Sequence, residues 1–139
     1  MRNRNIVAII GSLALMIFLL CFGGGCGNNN SNPDSITIFN LSPTSIILIH
    51  NSGTTTVTVT FNASGFSDFP TAYFVLLNSS GQTVQTLPDL ITNPSSSMVA
   101  AFSIDTTNLA AGSSGSFQVY LTDDSGGVSN TLPGTWSAT

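Results

Sequence analysis

The sequence predicts an all-β fold, a single antiparallel β-sandwich of about seven to eight short strands preceded by an apolar N-terminal segment. Three observations predict it. Apolar and hydroxyl side chains alternate from Thr54 to Phe61, with Val57, Val59 and Phe61 on one face and Thr56, Thr58 and Thr60 on the other, the period of a strand with one buried face. Clusters of Gly, Asn, Asp, Ser and Pro interrupt the chain at near-even spacing after residue 36, and no stretch between them sustains a helical period. Ser, Thr and Asn fill much of the remainder, and such side chains favour strands, turns and caps over helix interiors.

At the N-terminus lie both basic residues of the chain, Arg2 and Arg4, followed by apolar runs from Ile6 to Ile10 and Leu13 to Leu20 around Gly11 and Ser12, and then Gly23-Gly24-Gly25-Cys26. A positive start, an apolar run and small residues before a cut are the parts of a secretory signal, so residues 1–26 read as a signal or anchor helix and the rest as exported. Residues 27–35 (GNNNSNPDS) hold no apolar side chain and read as a polar tether reaching about 15 to 20 Å. Residues 36–139 are expected to form one domain.

Within that domain Ile36, Ile38 and Phe39 start a strand that ends at Asn40-Leu41-Ser42-Pro43, and Ile46 to Ile49 continues it after a proline kink where first strands switch sheets. Asn51-Ser52-Gly53 is a turn before the alternating strand. Asn62 to Pro70 reads as a loop with Phe66 and Phe69 turned inward. Ala72 to Leu77 is an apolar strand joined through Asn78-Ser79-Ser80-Gly81 to Gln82 to Leu87 as a hairpin. Pro88 to Ser97 reads as a loop with a brief strand at Leu90 to Thr92, and Met98 to Ile104 as the next strand. A long corner from Asp105 to Gly115 leads to a strand over Phe117 to Thr122, and the hairpin turn Asp123-Asp124-Ser125-Gly126-Gly127 leads to the last, Val128 to Ser137. Trp136, the one tryptophan, is expected in the core.

Charge excludes several functions. Beyond Arg4 there is neither Lys nor Arg, glutamate is absent, and six aspartates supply all the acidity. Nucleic acid is excluded as a partner because phosphate neutralisation needs basic side chains, and anionic lipid headgroups for the same reason. No Lys or Arg pair exists for salt to screen, so the melting temperature of the domain is expected to change little with moderate NaCl. A steep loss of stability there would contradict this. Cys21 and Cys26 both precede the domain, which therefore folds without a disulfide.

Catalytic and metal chemistry find few residues. His50 is the only histidine, expected to face solvent or cap a strand end, and no Gly-x-Ser-x-Gly elbow accompanies the serines. Zinc is disfavoured by one histidine and no domain cysteine. Asp123 and Asp124 offer oxygens to calcium, with Asp105 or Asn130 as further donors, but their spacing fits no calcium loop and paired aspartates in a hairpin usually form turns. No catalytic residue, metal site or cofactor is therefore assigned. Asn29, Asn40, Asn62 and Asn78 each begin an Asn-x-Ser triplet, which matters only where a glycosylation system exists.

Two resemblances sharpen this reading. Gly23-Gly24-Gly25-Cys26 followed by polar Gly27 to Ser31 resembles the lipobox of bacterial lipoproteins, which implies cleavage before Cys26 and lipidation of that cysteine. Lipidation at Cys21, an uncleaved membrane helix and an ordinary cleaved signal stay open as alternatives, and all export the same domain. The absence of Asp at position 27 resembles outer-membrane sorting. The run Ile104 to Gly112, then Phe117 to Asp123 and Gly126, resembles the end of bacterial Ig-like and fibronectin-III-like domains, and Leu41-Ser42-Pro43 resembles the start of their IPT/TIG group, with residues 113–116 as an insertion in the usual corner. These resemblances imply an Ig-like sandwich held at the cell envelope by a lipid anchor, on the periplasmic face or the cell surface. The implied function is non-catalytic protein binding, spacing or adhesion, with an envelope or surface protein as the unknown partner. The alternative is a self-assembling, homo-oligomeric subunit of a surface fibre or layer, favoured because the Thr/Val strand lacks Lys and would be open to strand addition at a sheet edge.

Overall fold

The computed structural model describes residues 35–139, so the signal segment, Cys26 and the tether up to Asp34 lie outside the described residues. Eight strands form two sheets: β1 (Thr37–Ser42), β2 (Ser45–Leu48), β3 (Thr54–Ser64), β4 (Thr71–Asn78), β5 (Thr83–Leu90), β6 (Ser97–Asp105), β7 (Ser114–Thr122) and β8 (Leu132–Ala138). One sheet has the order β1-β3-β6 and the other β2-β8-β7-β4-β5. The described residues contain no helix long and apolar enough to cross a membrane.

The chain switches sheets between β1 and β2, across Pro43, as the sequence predicts. The Ser42-Pro43 peptide bond is cis. All pairings are antiparallel except one, since β2 runs parallel to β8 with Ile46 beside Trp136. This corrects the wholly antiparallel expectation. Crossing from one sheet to the other without reversing direction lays β2 alongside the last strand rather than against it.

The alternating strand is longer than expected. β3 runs through Asn62, Ala63 and Ser64, where a loop was predicted, because Ala63 is a buried member of the same alternation and pairs with Ile38 of β1. β5 likewise continues past Pro88 to Leu90. A proline lacks the N–H that a central strand needs, but β5 is an edge strand bonded only to β4, where proline is tolerated. At the start of β7, Ser114 to Ser116, read as part of an inserted corner, are strand residues. Phe66 packs partly against the core, whereas Phe69 adopts a left-handed backbone (φ 56°) before Pro70 and is 59% exposed, so the inward expectation fails for Phe69.

Among the described residues, the buried apolar side chains run from Ile36 to Ala138 and form one cluster between the two sheets. Phe74 of β4 stacks on Phe117 of β7 with ring centroids 4.8 Å apart, and meets Phe102 of the facing sheet at 5.3 Å. Each such ring removed from water contributes about 1.5 to 3 kcal/mol. On the inner face of β7 and β8, two aromatics cover two glycines: Phe117 is opposite Gly134 and Trp136 opposite Gly115. The indole reaches across Gly115 and its Nε1 donates to the Leu77 carbonyl at 2.7 Å, at the register shift in the β4–β5 ladder.

One buried polar side chain, Thr106, locks the end of β6 to the β2–β3 turn. Its N–H donates to the Gly53 carbonyl at 2.7 Å, its hydroxyl lies 3.0 Å from Ser52 Oγ, and its carbonyl accepts from Asn51 N at 2.9 Å.

Candidate functional site

The aspartates expected as cation ligands serve instead as hydrogen-bond acceptors that fasten loops. Asp123 Oδ1 accepts from Ser125 Oγ at 2.7 Å and from Gly127 N at 2.8 Å, and Oδ2 accepts from Ser67 N at 3.2 Å. Asp124 accepts from the Ser67 hydroxyl. The β7–β8 turn is thereby tied to the β3–β4 loop. Asn130 does not join them: its amide bonds both the N–H (2.8 Å) and the carbonyl (2.9 Å) of Ile38, acting as a ladder partner for β1. Asp105 lies at the opposite end of the sandwich, opposite Thr54 at the far end of β3, and takes the Thr107 N–H at 2.9 Å. The candidate calcium donors are therefore not brought together. Among the described residues no group of three or more His, Cys, Asp or Glu side chains is placed to hold a metal ion.

Those bonds favour the charged carboxylates. The Ser125 hydroxyl, with further donors from Gly127 and Ser67, outweighs partial desolvation and holds the Asp123 carboxyl down at about 2 from its ordinary 3.8. Thr107 lowers Asp105 in the same direction. A carboxyl whose folded pKa is depressed contributes stability that is present above its unfolded value and lost as pH falls toward its folded one. The melting temperature is therefore expected to fall between pH 4 and about 2, and Asp123→Asn is expected to flatten that fall. An identical acid limb in the variant, read by thermal unfolding at several pH values, would contradict the assignment.

His50 is exposed just beyond β2, with Nδ1 2.7 Å from the Thr139 carbonyl. It caps a strand end as expected, and among the described residues no serine hydroxyl meets its ring. Trp136 is buried as expected. Among the described residues, two shallow clefts flank β5. One of about 400 Å³ lies between the β4–β5 turn and the β6–β7 loop, walled by Val84, Leu109 and Trp136 with Asn78 and Asn108 at its rim. The other, also about 400 Å³, lies between the end of β5 and β6, beside Asp89, Leu90 and Val99. Neither gathers a nucleophile with a base.

The sheet edges carry the more informative chemistry. The Thr/Val strand β3 is not an edge: it lies between β1 and β6, so the condition under which it would be open to strand addition is not met. On one side of the sandwich, inward-facing side chains of β5 occupy the free edge of β6. Asp89 Oδ2 accepts from Ala101 N at 2.9 Å, while the Gln85 amide accepts from Asp105 N at 3.0 Å and donates to its carbonyl. Sequence reasoning missed both residues, because it placed Asp89 in a loop and gave Gln85 no role. Their spacing of four, two steps of a strand's inward face, was the available signal.

No protein-family model and no curated protein matches the chain. Among solved structures, the sandwich weakly resembles CopC from Methylosinus trichosporium OB3b (13% identity, TM-score 0.37, covering 74% of this chain and 92% of that one). It also weakly resembles the ASH/PapD-like domain 7 of human CEP192 (11% identity, TM-score 0.38, covering 85% and 94%). Similarity at this level bears on neither function nor partner.

Proposed function

We propose that this chain is an exported sandwich, held at the cell envelope through lipid on Cys26, that acts by protein contact or as a spacer and has no catalytic centre. The observation that carries the non-catalytic reading is the employment of the polar side chains. Asp89, Asp105 and Asp123 each accept a backbone N–H of their own fold, and His50 caps a strand end. Groups committed in this way are not poised to move protons or attack a substrate. The anchor reading rests on the arginines, the apolar run and the lipobox resemblance of Gly23 to Cys26, and the outer-membrane reading on the absence of Asp at position 27.

Metabolic labelling with an alkyne fatty acid tests the anchor. Label is expected on the wild-type chain and on Cys21→Ser, and absent from Cys26→Ser. Label that follows Cys21, or none on any form, would overturn it. An epitope tag after Thr139, probed on intact and permeabilised cells, then decides between cell surface and periplasm and so where to seek the partner.

A further inference from the structure

The four sheet edges are not equally protected. On the β5/β6 side, β5 carries Pro88 and β6 has two of its outward N–H groups occupied by Asp89 and Gln85, the polar devices by which sandwiches discourage strand addition. The β2 edge has none of them. Thr44, Leu48 and His50 turn their backbone groups toward β8, since Thr135 N donates to Thr44 O, Thr139 N to Leu48 O and His50 N to Thr139 O. The alternate residues Ser45, Ile47 and Ile49 therefore point theirs away from the sheet. Of these, only the Ile49 carbonyl has a partner among the described residues, the Ser52 hydroxyl at 2.8 Å. Ile47 is also the most exposed large apolar side chain among the described residues, at 68%, and Ile49 is 61% exposed.

We propose that β2 is a self-pairing edge: two copies of this chain join their β2 strands antiparallel about a two-fold axis at Ile47, making one continuous sheet from two five-stranded ones. Ile47 then pairs with its own counterpart through two reciprocal N–H to carbonyl bonds, and Ser45 pairs with Ile49. The two Ile47 side chains meet on the outer face of the joined sheet, where they shield each other from water. A two-fold contact of this kind is closed, so it yields a dimer and not a fibre.

Charge distribution selects a second copy as the occupant. The domain bears only aspartates and no Lys or Arg, so two copies repel wherever those aspartates face each other. No aspartate lies between Ser35 and Ser67, which leaves β2 as an uncharged, apolar edge. A basic partner would instead be drawn to the aspartate-bearing ends. The contact is short, well under the ~1,200 Å² of a stable interface, so the dimer is weak in free solution and favoured where a common surface concentrates the copies. The inference does not depend on the lipid anchor.

Residues 35–139, which hold both sheets and lie within one compact unit, are the material for the test. Sedimentation from about 10 µM to 1 mM is expected to show reversible dimer formation, and Ile47→Lys is expected to remain monomeric throughout with an unchanged far-ultraviolet spectrum. Ile47→Cys is expected to oxidise to a linked dimer, because paired strands bring Cα atoms about 5.5 Å apart, within disulfide reach. Val99→Cys, 60% exposed on the β6 edge, is the control and is expected to link far more slowly. A wild-type domain monomeric at every concentration, a dimer that survives Ile47→Lys, or linkage at Val99 as fast as at Ile47 would each overturn the proposal.

Discussion

Gly134→Val is expected to lower stability by about 3 kcal/mol or more, and Phe117→Ala placed beside it is expected to restore part of the loss. Even a Cβ at position 134 would lie 2.1 Å from Phe117 Cζ and 2.4 Å from Cε1. Clashes with a side-chain tip are cheap when the side chain can swing away, but this ring cannot. It is fully buried and stacked on Phe74, with no solvent side into which to turn. Removing the ring alone costs about 3 to 5 kcal/mol as a cavity. In the double variant the new isopropyl group occupies part of that cavity, so the two losses should not add. Denaturant unfolding of the four members of the cycle measures the coupling. Strict additivity would show that Gly134 and Phe117 do not compete for one volume.

How much of this was legible in the sequence follows from how local each cause is. The alternation from Thr54 to Phe61 gave β3 because strand periodicity is a nearest-neighbour property, and the kink at Pro43 gave the change of sheet. β5 was cut short at Pro88 because whether a proline is tolerated depends on which strand lies at an edge, a fact of topology that no window of sequence contains. The parallel placement of β2 beside β8 is hidden for the same reason, its partners Ile46 and Trp136 being 90 residues apart. Among the site residues, His50 is exposed and bonded to the Thr139 carbonyl, within the solvent-facing or capping role its place at a strand end predicts. Asp123 and Asp124 sit in the turn that their hairpin position predicts, but the further donors Asp105 and Asn130 do not join them. Asp105 is carried to the other end of the domain by the length of β3 and β6, and the Asn130 amide goes to the free backbone of Ile38. The edge roles of Gln85 and Asp89 depend on β6 facing β5 across the sandwich, which only the tertiary fold reveals.

Gly115→Ala is expected to cost a similar amount, about 3 kcal/mol or more, yet no change at Trp136 should recover it. The added Cβ would lie 2.7 Å from the Trp136 Nε1 but only 2.0 Å from the Leu77 carbonyl oxygen, which is backbone. Trimming the indole relieves the first contact and leaves the second. It also removes the N–H that satisfies that carbonyl at the register shift in β4, and an orphaned buried acceptor costs about 1 to 3 kcal/mol more. Trp136→Ala in the Gly115→Ala background is therefore expected to deepen the loss, whereas Phe117→Ala in the Gly134→Val background relieves it. The two glycines lie two residues apart in space on paired strands and face the same core, but one makes room for a side chain and the other for the main chain. If Trp136→Ala rescued Gly115→Ala by as much as Phe117→Ala rescues Gly134→Val, the close approach of β4 to β7 would not be what forbids a side chain at position 115.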